Sequence, residues 1–134
     1  SMIVPVGSGT TENLVDASET VDVSVGGNVV TRHVSFRLTA GASAVTALTI
    51  SMTNCNFTWT GTLAATKVLQ ILQRHNYCAI TNDGSNAYSG FVFNSGHTSG
   101  WWMEMQPDGQ TTVTIAKTGG GTCQIAFDVV DAWG

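Results

Sequence analysis

The chain has 134 residues, 43% of them hydrophobic and only 10% charged, with a formal net charge of −4. That length suits one domain with one core. The five basic residues (Arg32, Arg37, Lys67, Arg74, Lys117) are scattered rather than gathered into the stripe that displaces counterions from phosphates, which excludes nucleic acid as a partner. No apolar run approaches the roughly 20 residues of a membrane-spanning helix, and no charged segment leads into an apolar one as a secretion leader would. Polarity is carried by 19 Thr and 15 Gly, the one suited to a pleated surface and the other to tight turns.

In chain order, residues 1–19 show no periodicity and read as a lead-in or linker ahead of a domain spanning 20–134. From there alternation of period two dominates. Val21, Val23 and Val25 alternate with Asp22 and Ser24 and stop at the Gly26-Gly27-Asn28 turn. Val34, Phe36 and Leu38 form the next set, then Leu48, Ile50 and Met52, then Cys55, Phe57 and Trp59. The segment 63–74 lacks Gly and Pro, and Val68, Leu69 and Leu72 would share one side of a helix. Its shortness, and the natural strand partner Tyr77-Cys78-Ala79-Ile80 that follows, favour a strand over 67–72. Val113 and Ile115, and then Cys123, Ile125, Phe127 and Val129, complete the pattern. Asn82-Asp83-Gly84, Pro107-Asp108-Gly109 and Gly119-Gly120-Gly121 are turn signals. Six or more short strands at roughly ten-residue spacing predict an all-β fold, a two-sheet antiparallel β-sandwich. Val34, Phe36, Leu48, Ile50, Phe57, Ile115, Ile125 and Phe127 are expected in one core.

The chain offers little for chemistry. His33, His75 and His97 lie far apart, outside any ligand-spaced pair. Cys55, Cys78 and Cys123 have long spacings and no CxxC, and are expected as free thiols packed as small hydrophobes. Of the carboxylates, Asp83 and Asp108 sit in turn signals; Glu104, Asp128 and Asp131 read as outward or terminal rather than as an acid–base pair. The Asn56-Phe57-Thr58 sequon is read as chance. No catalytic, cofactor or metal site is therefore expected. Trp101-Trp102 is the most informative pair, because neighbours in a strand point to opposite faces. Trp101 shares parity with Met103 and Met105, and Trp102 with Glu104. Trp102 is thus expected outside, as an anchor for a partner, a sugar-stacking platform or a residue covered by a loop. Trp102 and Glu104 are the candidate interface, with a protein partner preferred.

A set of motifs recurs in a recognisable order. Gly27-Asn28 precedes a strand ending Leu38-Thr39-Ala40-Gly41, and Ala47-Leu48-Thr49-Ile50 follows. Gly61-Thr62-Leu63-Ala64-Ala65 leads into Leu69-Gln70-Ile71, and Asn82-Asp83-Gly84 forms the next turn. Met105-Gln106-Pro107-Asp108-Gly109-Gln110 enters the strand of Val113 and Ile115, and Ile125-Ala126-Phe127 runs to Asp131-Ala132-Trp133. Over residues 21–133 this order resembles the C-terminal, phage tail-like domain of siphophage distal tail proteins, a galectin-like (jelly-roll) sandwich. It departs from that family at Thr66-Lys67, where Gly-Asp is common, at Leu72, where an Asp is common, and at Gln110, which replaces Asn. The family's ring-forming N-terminal domain is not within these residues, so ring formation is not carried over. The resemblance implies a virion component of a distal tail or baseplate, assembled in the bacterial cytoplasm. Its implied partners are other tail proteins, further copies of the chain, or a host-surface glycan. A non-catalytic structural module is the preferred expectation, and a carbohydrate-binding module for host attachment is the alternative.

Overall fold

A computed structural model describes residues 2–5, 11–14, 17–24, 32–74, 77–98, 104–105 and 110–131. They form a sandwich of two sheets. The strands are β1 (Met2–Pro5), β2 (Thr11–Leu14), β3 (Ser18–Ser24), β4 (Arg32–Thr39), β5 (Val45–Met52), β6 (Cys55–Leu63) and β7 (Val68–Arg74). There follow β8 (Tyr77–Asn82), β9 (Ser85–Asn86), β10 (Phe91–Phe93), β11 (Glu104–Met105), β12 (Gln110–Gly119) and β13 (Cys123–Asp131). One 3-10 turn, Tyr88–Gly90, is the sole helical element among the described residues. The first sheet runs β1-β3-β12-β5-β6-β10 and the second β2-β13-β4-β7-β8-β9, with β11 also on β4. Every pairing is antiparallel except β1 with β3.

The period-two pattern explains why the sheets stack. Val45, Leu48, Ile50, Phe57, Trp59, Val113 and Ile115 from the first sheet meet Val34, Phe36, Leu38, Leu69, Ile71, Ile125 and Phe127 from the second in a single buried cluster. All eight residues expected in the core are there. The ambiguous segment is β7, with Leu69, Ile71 and Gln73 turned inward.

Within residues 1–19, the described segments 2–5 and 11–14 form strands. Rather than leading in, β1 pairs with β3 and β2 pairs with β13, and Leu14 is buried in the core. Four-residue flanking strands are held by backbone ladders, which leave no alternation long enough to read.

Two polar side chains also lie deeper than their identity suggests. Gln73 is fully buried, and its Nε2 donates to the Val34 carbonyl (3.4 Å). Its backbone N–H donates to Ser35 Oγ (2.8 Å), which in turn donates to the Gln73 carbonyl (3.2 Å). The β4–β7 ladder runs only from Phe36 to Thr39. The Ser35 hydroxyl therefore continues the bonding one step beyond the ladder, where β11 takes up pairing with β4 at His33 and Arg32. Lys117 is buried at the end of β12, and its Nζ donates to the carbonyls of Gly119 (3.2 Å) and Gly121 (2.7 Å). Those carbonyls are presented by three consecutive glycines at positive φ (81°, 87° and 62°).

Candidate functional site

Glu104 lies in β11, its backbone opposite His33 of β4 at the start of that strand. Trp102, the other half of the candidate interface, falls outside the described residues, as does Trp101. The structure draws attention instead to the side of the sandwich where the two sheets are joined through the 3-10 turn.

Here β9 ends the second sheet and β10 ends the first, and Tyr88–Gly90 carries the chain between them. β10 is an apolar triplet paired through only three residues: Phe91 opposite Trp59, Val92 opposite Thr58 and Phe93 opposite Phe57. Phe91 turns inward and meets the Phe57 ring at 5.8 Å with a 50° tilt. Val92 shares the outward parity of Thr58 and is 63% exposed, and Phe93 is 49% exposed. Tyr88 is the third large exposed apolar residue; its hydroxyl donates to the Cys78 carbonyl.

The outer face beside β10 is a neutral hydrogen-bonded ladder. Thr49 and Thr58 hydroxyls bond at 3.0 Å, and Asn94 Nδ2 donates to Asn56 Oδ1 (2.9 Å) and Thr58 Oγ1 (3.0 Å). The Asn56 N–H donates to His97 Nδ1 (3.0 Å), and the His97 ring lies 4.2 Å from that of Phe93. With Nδ1 as acceptor, neutral His97 carries its proton on Nε2. The segment after β10 is thus fastened back by side chains, by the Asn94 backbone N–H onto Asn56 of β6, and by the Thr98 N–H onto the Asn54 carbonyl in the turn before β6.

At the same corner a groove of about 560 Å³ opens between the end of β6, the 64–67 turn, the β8–β9 turn and the 3-10 turn. Its lining includes Trp59, Lys67, Asn82, Asp83 and Asn86. Lys67 Nζ and Asp83 Oδ2 are 4.0 Å apart, with both side chains about half exposed.

Cys55, Cys78 and Cys123 are free thiols. Burial pushes the Cys78 thiol from 9.0 up to about 11. Below pH 9 the thiol is neutral whether the chain is folded or not. Above it the unfolded chain ionises first, so stability is expected to fall as pH rises from 9 to about 11. Urea melts across that range should show the fall, and Cys78→Ala should flatten it; an equal fall in the variant would assign it elsewhere. Among the described residues no group of three or more His, Cys, Asp or Glu is placed to hold a metal ion.

Sequence reasoning missed the β10 edge. Phe91-Val92-Phe93 is too short to alternate, and its one signal is three consecutive apolar residues behind the Tyr88-Ser89-Gly90 turn. Comparison of the chain with protein-family models, with curated proteins and with solved structures returns no match.

Proposed function

We propose that this chain is a non-catalytic assembly module of a phage or phage-like tail, a distal tail or baseplate component that docks onto a neighbouring tail protein. The observation that carries the docking role is Val92, 63% exposed on the three-residue edge strand β10 and flanked by half-exposed Phe93. Native sandwiches usually blunt such edges with charge or proline. Here the outer side chains are apolar and the adjoining outer face is neutral, which suits burial against another protein. The tail setting rests on the order of motifs from Gly27-Asn28 to Asp131-Ala132-Trp133.

The test is co-expression with the protein encoded next to this chain, followed by co-elution and sedimentation. Val92→Asp is expected to weaken the complex about tenfold or more while changing stability by no more than about 0.5 kcal/mol. A complex that forms equally well with Val92→Asp, or neighbouring genes that encode no tail protein, would sink the proposal. Self-association lost in Val92→Asp would make a second copy the partner.

A further inference from the structure

We infer that the corner groove between β6 and the β8–β9 turn is a binding site for a neutral saccharide. The argument starts at its floor. Trp59 is 2% exposed yet lines the groove. A buried indole N–H normally finds an acceptor, but Trp59 Nε1 makes no hydrogen bond among the described residues. Two glycines of the lining pack directly against the indole, close enough that neither position has room for a side chain. A Cβ on Gly61 would stand 2.8 Å from Trp59 Cζ2, and one on Gly90 would stand 2.7 Å from Nε1. Any larger residue at either position would sit against the ring, and at Gly90 against the N–H itself. The site thus has at its base a buried indole donor with no hydrogen bond among the described residues.

The walls supply the complementary groups. Asn82 Nδ2 donates to the Thr62 carbonyl (2.9 Å), which leaves its Oδ1 as an acceptor. Asn86 Oδ1 accepts from the Tyr88 N–H (2.9 Å), which leaves its amide hydrogens to donate. At the rim, the Lys67 ammonium donates and the Asp83 carboxylate accepts. So exposed a pair at 4.0 Å binds weakly to itself, and both partners remain available to a ligand.

Lys67 and Asp83 cancel in charge, so the groove favours neither an anion nor a cation. Its lining is mostly Thr, Ser, Asn and Gly. The ligand that matches closely spaced, alternating donors and acceptors without net charge is one in which every group is both, namely a run of hydroxyls. The volume, about 560 Å³, is within the range of small-ligand sites.

This site is separate from the β10 docking edge, and the experiment keeps the two apart. The ¹⁵N-labelled Val92→Asp chain, in which docking is removed, is titrated with glucose, galactose, N-acetylglucosamine and rhamnose while the Trp59 indole N–H resonance is followed. At least one sugar is expected to move that resonance saturably at millimolar concentration. Asp83→Asn, which keeps a residue tolerant of the positive φ of 51°, is expected to weaken binding about tenfold by removing a charged acceptor. Trp59→Phe, monitored through the backbone N–H of Gly90, is expected to weaken it to a similar extent. No shift with any of the four sugars would overturn the inference. So would an equal shift with glycerol at matched hydroxyl concentration, a shift produced by protein concentration alone, which would seat a second copy in the groove, or unchanged affinity in both variants.

Discussion

Replacing Phe57 by alanine is expected to lower the free energy of unfolding by about 3–5 kcal/mol, a large share of the roughly 5–15 kcal/mol that holds a domain folded. Phe57 is fully buried at the centre of β6, opposite Ile50 of β5 on one side and Phe93 of β10 on the other. Its ring is also the partner of Phe91, which anchors β10 from inside. Truncation therefore leaves a cavity in the core and loosens an edge strand held by only three residue pairs. Urea denaturation should report the loss of stability, and limited proteolysis should show cleavage around residues 88–93 in conditions that spare the wild type. A loss below about 1 kcal/mol would mean that Phe57 does not hold the two together.

How much of this was legible in the sequence depended on strand length. Val34-Phe36-Leu38 and Cys55-Phe57-Trp59 alternate over five residues each, long enough for parity to assign their inner face, and all six are buried. In β7 the helical alternative grouped Val68, Leu69 and Leu72, but the structure buries Leu69 with Ile71 and leaves Val68 and Leu72 half-buried, the signature of a pleat. Strands of three or four residues carry no such record, which is why β1, β2 and β10 went unread. The groove was illegible for another reason. Gly61 and Gly90 look like ordinary turn glycines, and only the fold sets both against the Trp59 indole. Lys117 reads as one scattered cation, yet its ammonium donates to the carbonyls of two glycines in a turn that runs at positive φ. The Trp102 expectation stands on parity alone, since that residue lies outside those described, and Glu104 contributes a backbone pair to β4.

Gly41→Ala is expected to destabilise the fold by at least the roughly 1–3 kcal/mol typical of overpacking, although nothing in its own backbone demands glycine. Three loops meet at this residue. The Gly41 N–H donates to the Gly120 carbonyl (3.0 Å), and the Gly41 carbonyl accepts from the Thr66 N–H (3.1 Å). A Cβ would stand 2.3 Å from the Thr122 carbonyl oxygen and 2.5 Å from that of Gly120. Both obstacles are backbone, so no rotamer change relieves them, and either the 120–122 segment or the loop at Gly41 must move. Gly84 supplies the contrast: it has a φ of +84°, but nothing lies within 4 Å of its Cβ position. Gly84→Ala is therefore expected to cost only the left-handed penalty of about 1–2 kcal/mol. Parallel thermal melts should place Gly41→Ala at or below Gly84→Ala, and a Gly41→Ala chain as stable as wild type would show that the loops can part freely. The consequence reaches the groove, because the turn that donates from Thr66 also carries Lys67, whose carbonyl accepts from the Ala40 N–H (2.9 Å). A displacement of the loop at Gly41 would disturb the turn that holds Lys67 at the rim, so stability and saccharide binding are expected to fall together in this variant, whereas Asp83→Asn is expected to lower binding alone.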